Sequence, residues 1–157
     1  MTANEVLEVL GWLETAGIEV WVDGGWGVDA LLGEETRPHS DLDLALDRDE
    51  LERARQALEE RGFEPDTSSK PGLPARLVMR DARGREVDFH PLIFDHSGDG
   101  WQQLSQSGRA WAATRPRISA PRASLRGDQF AVLALSCNCG AAWATSGASA
   151  TSTTLVG

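Results

Sequence analysis

Two aspartates in residues 41–47, whose sequence is DLDLALD, are the side chains best placed to do chemistry. Leucines stand at every second position of this stretch, and successive side chains of an extended strand point to opposite faces. The pattern predicts a strand with its leucines in a core and with Asp41 and Asp43 on the other face, roughly 6–7 Å apart between Cα atoms. Because aspartate disfavours strands and like charges repel, the pair indicates either a solvated acidic face or a cation site.

A third carboxylate, Asp88, falls on another predicted strand, 45 positions after Asp43. The apolar residues of that strand are expected to share one face: Val87, Phe89 and Leu92. Asp88 and His90 are then expected on the opposite face. The alternative role for Asp88 is a simple ion pair with Arg80 or Arg85.

A glycine pair, Gly24 and Gly25, follows a short β-rich run and precedes a predicted helix that begins at Trp26. Glycines there permit positive φ and a close approach of backbone to a ligand, and a helix N-terminus presents N–H groups that suit phosphate. Most glycine pairs, however, are only turns. Arg37 and His39 lie in the polar loop before the acidic strand.

Three carboxylates on neighbouring strands suit Mg²⁺, which prefers oxygen ligands and keeps substrate phosphates in its shell. Two such ions hold the attacking and leaving oxygens in line for transfer of a phosphorus group. We expect Asp41 and Asp43 to hold the ions, and Asp88 to bridge a metal or take a proton from an acceptor hydroxyl. The glycine pair and Arg37 would grip a triphosphate.

Other polar residues have plainer explanations. Asp23 and Asp29 are expected in a turn and on a helix surface or cap, although Asp29 could also face the pocket. His39 and His90 are more often structural hydrogen-bonding groups than ligands. Most tryptophans are core residues, with Trp26 the one placed to touch a substrate.

The elements that would position these residues follow from hydrophobic spacing. Apolar residues recur every three or four positions in the predicted helices, 2–16, 26–32 and 48–61. Alternating or β-rich runs predict strands at 18–22, 41–47, 76–80 and 85–94, the last two as a hairpin. Residues 63–74 are expected to be a loop. Residues 101–118 are predicted to be a strand or an irregular packing segment.

The chain has 157 residues and a net charge of −9, which suit one domain. Residues 1–108 carry 23 acidic and 10 basic side chains, and this acidic body argues against nucleic acid as a partner. No apolar run approaches the ~20 residues that cross a bilayer, and the N-terminus lacks the order of a secretory signal, so we expect a cytoplasmic protein. Cys137 and Cys139 are interpreted as bystander thiols.

The C-terminal segment differs in composition from the rest. After Asp128 no charged side chain remains, and alanine, serine, threonine and glycine dominate. We predict a core at 1–118 and, at 119–157, a divergent C-terminal segment. This segment is either a replacement of the original sequence or partly disordered, and we expect disorder from about 138 onward.

The order of these parts resembles the nucleotidyltransferase superfamily that includes DNA polymerase beta. Residues 21–31 (WVDGGWGVDAL) and 37–43 (RPHSDLD) are similar to the lincosamide and aminoglycoside nucleotidyltransferases, and residues 87–92 (VDFHPL) resemble the segment that carries their third carboxylate. The resemblance covers roughly residues 5–118. It implies an α/β (α+β) architecture, with a mixed β-sheet flanked by helices in the nucleotidyltransferase fold.

The resemblance also implies an activity: Mg²⁺-dependent transfer of a nucleoside monophosphate from a nucleoside triphosphate to an antibiotic hydroxyl. It assigns the metal pair to Asp41 and Asp43 and the third carboxylate to Asp88. Gly24 and Gly25 map to the triphosphate loop. Arg37 and His39 map to the loop on the phosphate side of the site. A homodimer is one arrangement it allows. The alternatives are a protein or RNA acceptor, or a core that binds nucleotide and metal without turnover.

Overall fold

The computed structural model describes residues 1–68, 72–105, 111–114, 122–125 and 128–131. The helices are α1 (Ala3–Thr15), α2 (Gly24–Leu32) and α3 (Leu51–Glu59), with a 3₁₀ turn (Arg48–Glu50) before α3. The strands are β1 (Val20–Val22), β2 (Asp41–Asp47), β3 (Phe63–Pro65), β4 (Leu77–Asp81), β5 (Glu86–Phe94), β6 (Gly100–Gln103), β7 (Trp111–Thr114), β8 (Arg122–Leu125) and β9 (Asp128–Ala131). The predicted disorder and both cysteines lie outside the described residues.

Strand β5 organises a mixed sheet that contains seven of the strands in the described residues. It pairs in parallel with β2 along one edge and antiparallel with β4 and β6 along the other. Strands β1 and β3 flank this set beyond β2 and β4, β7 extends it beyond β6, and β8 and β9 form a separate hairpin. The predicted mixed sheet flanked by helices is confirmed.

The leucine face of β2 forms the centre of the core. Leu42, Leu44 and Leu46 are fully buried, as the alternating pattern predicts. They pack in one cluster with Val87 and Phe89 of β5 and with apolar residues of α1 and α3. Two helices therefore cover this face of the sheet, and the aspartates of β2 point to the other.

Local sequence signals explain where the helices begin. Thr2 accepts a hydrogen bond from the backbone N–H of Glu5, and the Glu5 side chain accepts one from the Thr2 N–H, which is a capping box at the start of α1. Asp47 accepts from the backbone N–H of Asp49 at 2.9 Å and caps the 3₁₀ turn, so the predicted helix 48–61 starts with a tighter turn.

Three predictions about the fold are wrong. The second helix begins at Gly24 and not at Trp26, so the glycines form its first turn. The predicted loop 63–74 contains β3. Three residues are too few to show a strand pattern in the sequence, and β3 is a strand because its backbone pairs with β4. Leu92 packs with Ala45, Trp21 and Phe94 on the aspartate side of the sheet, because even-numbered residues of β5 share that face.

We expect stability to depend on pH through the buried pair of Asp81 and Arg85. Arg85 donates to Asp81 and to Glu8 at 2.7 Å each. Burial raises the pKa of Asp81, but the hydrogen bonds and charge of Arg85 lower it more, so this pKa lies below its usual range. The pair therefore stabilises the fold fully above about pH 4, and its contribution is lost as the pH falls through the lowered native pKa.

Asp81→Asn should narrow the difference in unfolding free energy between pH 7 and pH 3 by about 1 kcal/mol, measured by urea denaturation. The matched control is Glu60→Gln, which removes an exposed carboxylate. An equal narrowing in both variants would mean that overall charge, and not the buried pair, sets the dependence.

Candidate active site

The parallel pairing of β2 and β5 brings two carboxylates side by side. Asp43 lies directly opposite Asp88, and the next pair on the same face is Ala45 with His90. Atoms of Asp43, Asp88 and His90 able to bind a metal lie within 4.8 Å of one another. The strand register therefore assembles, from segments 45 positions apart, a cluster with two carboxylates and an imidazole.

Asp88 is the most buried member of this cluster, with 2 % of its surface exposed. The Nε atom of Arg76 lies 3.0 Å from its Oδ2, so the cation beside it is Arg76 and neither Arg80 nor Arg85. Burial raises the pKa of Asp88 to about 6, the nearby charges of His90 and Arg76 partly offset this, and the charge of Asp43 adds to it. A carboxyl with such a pKa can accept a proton near neutral pH.

The donor set fits a divalent cation. Oδ1 of Asp88 is buried and has no hydrogen-bond partner among the described residues. A buried carboxylate oxygen without a partner is costly, and a cation between Asp43 and Asp88 would satisfy it. Asp41 lies outside the cluster, one strand repeat away on the same face, where it accepts a hydrogen bond from Ser40 at 3.0 Å.

His90 belongs to the cluster, although the sequence favours a structural role for it. Its Nε2 lies 3.3 Å from Oδ1 of Asp43 and 3.6 Å from Oδ2 of Asp88. Burial lowers the pKa of His90, but the hydrogen bond to Asp43 and the charges of both carboxylates raise it more, so the net pKa is raised. The signal was available in the sequence, because His90 and Asp88 are two residues apart on one strand.

Gly24 is required by the position of Asp43. Its φ is +61°, and a Cβ at this position would lie closer than 3.0 Å to Oδ2 of Asp43, a separation that real Cβ atoms do not show. Its N–H donates to Oδ1 of Asp23 at 2.7 Å, so Asp23 is the helix cap and already occupies one of the N–H groups predicted to hold phosphate. Gly24 thus lets the carboxylate of Asp43 lie against the start of α2.

Gly25, which has no side chain, lets the loop before β2 approach the start of α2 closely. A Cβ there would lie closer than 3.0 Å to Nδ1 of His39 and 3.1 Å from Nη2 of Arg37. The ring of His39 also packs against Trp26, with centroids 4.7 Å apart. The structure thus brings together Gly25, Arg37 and His39, which the sequence predicts for the phosphate side; Arg37 is exposed and His39 is buried.

Asp29 is neither on the helix surface nor at a cap, so that interpretation is wrong. It is 1 % exposed and accepts from the backbone N–H of Thr36 at 3.1 Å, from its hydroxyl at 2.6 Å and from Nε2 of His39 at 2.6 Å. Burial raises the pKa of Asp29, but the hydrogen bonds of Thr36 and His39 lower it more. Asp29 therefore joins α2 to the loop that carries Arg37.

Asp29→Ala should reduce the unfolding free energy by about 1–3 kcal/mol, because it leaves the buried Nε2 of His39 without an acceptor, whereas the exposed Thr36 can regain water. Asp29→Asn should cost less, since its carbonyl oxygen can still accept from His39 and its amide can donate to the Thr36 hydroxyl. Urea denaturation measures both. Equal, small losses in the two variants would contradict the structural role of this carboxylate.

Trp26 lies in the core cluster and is 1 % exposed. Its indole Nε1 is buried without a hydrogen-bond partner in the described part of the chain. Contact between this ring and a nucleotide stays a prediction, and it would require the ring to be uncovered.

The architecture is that of the nucleotidyltransferases. The chain resembles the solved structure of the lincosamide antibiotic adenylyltransferase LnuA bound to lincomycin, with a TM-score of 0.71, 22 % identity, and coverage of 85 % of this chain and 80 % of that one. It also resembles ANT(2'')-Ia in complex with adenylyl-2''-tobramycin, with a TM-score of 0.62, 19 % identity, and coverage of 83 % and 67 %. Both likenesses concern the fold.

The chain belongs to the aminoglycoside-2''-adenylyltransferase family, whose model matches residues 5–148. A lincosamide resistance protein of Staphylococcus haemolyticus is 29 % identical over 108 residues, which cover 69 % of this chain and 65 % of that protein. The match thus spans slightly less than two thirds of that relative. No helix in the described residues is long and apolar enough to cross a membrane.

Proposed function

We propose that the protein transfers a nucleoside monophosphate from a nucleoside triphosphate to a hydroxyl of a small antibiotic, a lincosamide or an aminoglycoside. The observation that supports this most is the pairing of Asp43 with Asp88, including a buried carboxylate oxygen that has no hydrogen-bond partner among the described residues. Membership of an adenylyltransferase family supports the reaction class. A cytoplasmic location and a homodimer are parts of the same proposal, and the homodimer rests on family resemblance alone.

Asp43, Asp88 and Asp41 are the residues that would hold Mg²⁺, with two ions expected. When bound, Mg²⁺ would offset the charge of the triphosphate and favour in-line displacement at phosphorus. Arg37, which is exposed and near the start of α2, would pair with phosphate oxygens. The backbone N–H of Gly25, in the first turn of α2, would approach the same phosphates.

The reaction needs one proton acceptor. The oxygen of the acceptor hydroxyl forms a bond to the α-phosphorus, the bond from that phosphorus to the bridging oxygen breaks, and pyrophosphate leaves with the electron pair. The hydroxyl proton passes to a carboxylate of the site. Asp88 would take this proton in the arrangement where it does not itself bind the cation, because its carboxylate faces the site opposite Asp43.

A cavity of about 610 Å³ lies on the aspartate side of the sheet, beyond the cluster residues, and would receive the acceptor. Trp21 pairs with Ala45, which pairs in turn with His90, so the cavity continues the face that carries the cluster. Its lining includes two aromatic rings, Trp21 and Phe94, and three carboxylates, Glu19, Asp47 and Glu50. This volume is typical of small-molecule sites, and the acidic lining suits an acceptor with amino groups.

Mass spectrometry of drugs incubated with the protein, Mg²⁺ and each of the four ribonucleoside triphosphates tests the proposal. We expect a lincosamide or an aminoglycoside to gain one nucleoside monophosphate, with release of one pyrophosphate. Asp88→Asn serves as the inactive control. Bound triphosphate without pyrophosphate release would favour a non-catalytic core, and labelled nucleotide on a protein or RNA would move the acceptor to a macromolecule.

A further inference from the structure

A short series of hydrogen bonds runs beside the carboxylate pair and includes Gln102, a residue to which none of the roles above is assigned. The side-chain Nε2 of Gln102 lies 2.8 Å from the backbone oxygen of Ala75 and 3.0 Å from Nδ1 of His90. The opposite nitrogen of the ring, Nε2, lies 3.3 Å from Oδ1 of Asp43. These hydrogen bonds therefore link the backbone carbonyl of Ala75 to the carboxylate of Asp43 through one amide and one imidazole.

The carbonyl of Ala75 determines which end of the Gln102 amide faces the ring. A carbonyl oxygen only accepts, so the amide atom 2.8 Å from it is the NH₂ nitrogen. That nitrogen has a second hydrogen, which points to Nδ1 of His90 and makes Nδ1 an acceptor. A neutral imidazole that accepts at Nδ1 carries its proton on Nε2.

We propose that Gln102 holds the neutral ring of His90 as the Nε2–H tautomer, so that the ring donates a hydrogen bond to Oδ1 of Asp43 and is not a ligand of the cation. A protonated ring nitrogen has no free lone pair for a metal, so the cation is left to carboxylate oxygens, which Mg²⁺ prefers. Gln102 is thus a positioning residue that acts through His90. The catalytic part of this inference rests on the proposed function.

The amide of Gln102 also positions the guanidinium of Arg76 beside Asp88. Ala75 precedes Arg76, whose Nε lies 3.0 Å from Oδ2 of Asp88. By holding the Ala75 carbonyl, Gln102 fixes the backbone from which this guanidinium reaches the site. One glutamine on β6 therefore orients two of the groups that surround Asp88.

The tautomer can be measured without turnover. In the full-length ¹⁵N-labelled protein, long-range ¹H–¹⁵N correlation spectra distinguish a protonated Nε2 from a protonated Nδ1, and the His90 signals are assigned by their loss in His90→Asn. At a pH high enough to keep the ring neutral, we expect Nε2 to be protonated. Gln102→Glu should move the proton to Nδ1, because a carboxylate accepts and cannot donate, whereas the matched control Gln103→Glu should leave it on Nε2.

Cation binding separates a donor from a ligand. By calorimetry with Mn²⁺, His90→Gln should bind within about threefold of the wild type, because the carboxylates that hold the cation are intact. In the transfer assay, Gln102→Glu and Gln102→Leu should lower kcat by about 10- to 100-fold and change the KM for the acceptor little. His90→Gln, which can still donate to Asp43, should retain more of the wild-type kcat than His90→Leu.

A wild-type ring protonated at Nδ1, or a Gln102→Glu ring still protonated at Nε2, would overturn the proposal. So would a loss of Mn²⁺ affinity greater than tenfold in His90→Gln, which would make the ring a ligand. The spectra and the calorimetry need no antibiotic, so failure of the transfer assay on every drug would refute the proposed function and leave the tautomer decided by these two measurements.

Discussion

Asp43→Asn should lower nucleotidyl transfer at least about a thousandfold, equivalent to about 4 kcal/mol, while the fold survives. The carboxylate of Asp43 supplies one of the two facing charges that would hold the cation, and removing it weakens both cation binding and the stabilisation of the transferred phosphorus group. The asparagine keeps the shape that lies against Gly24 and can still accept from His90. Steady-state pyrophosphate release measures the loss, and circular dichroism checks the fold.

Two further observations separate this effect from general charge removal. Asp49→Asn makes the same change at an exposed position a few residues along the chain and should keep turnover within about twofold of the wild type. Because burial and then the charge of Asp43 raise the pKa of Asp88 to about 6, Asp43→Asn should lower that pKa, which NMR titration can follow. A variant that kept more than a tenth of wild-type turnover would contradict a role for Asp43 in the site.

Gly25→Ala should reduce the unfolding free energy by about 3 kcal/mol, although it adds only one methyl group. The new Cβ would lie closer than 3.0 Å to the ring of His39, and that ring cannot swing aside because it is buried and bonded to Asp29. The loop before β2 would have to shift, and with it Arg37 and Asp41. We therefore expect lost stability and weakened triphosphate binding together, measured by urea denaturation and by calorimetry.

Gly11→Ala is the matched control. Gly11 lies within α1, and a Cβ there meets no atom within 4 Å in the part of the chain that the structure describes. The same substitution should stabilise the protein by about 0.5–1 kcal/mol, since alanine loses less conformational entropy than glycine in a helix. If both variants lost similar stability, the close approach at Gly25 would not be the cause.

The sequence predicts well those features that depend on the local alternation of apolar and polar residues. The leucines of β2 and the hairpin of β4 and β5 follow a two-residue period, and the structure confirms both. The period also places Asp43, Asp88 and His90 on one face of their strands. The parallel register that sets Asp43 opposite Asp88 depends on contacts between distant segments, and no local pattern encodes it.

Helix α2 shows why the rest could not be predicted. Its apolar residues Val28, Leu31 and Leu32 are at least half exposed, whereas Asp29 is buried. This is the reverse of an amphipathic pattern, because the partner of Asp29 is His39, in a loop ten positions away. A charged side chain is buried where its hydrogen-bonding partner lies. The hydropathy pattern of α2 therefore predicts the wrong face of the helix as the buried one.

The parallel contact between β2 and β5 has a consequence for the order of events during synthesis. A tight turn cannot join parallel neighbours, so β2 gains this partner only after residues 48–85 have been made and have folded back. A nascent chain that ends before β5 therefore lacks the pairing of Asp43 with Asp88 and presents β2 as an open edge with bare amides and carbonyls. Such an edge invites self-association, and closing it is the same event that creates the acidic pair.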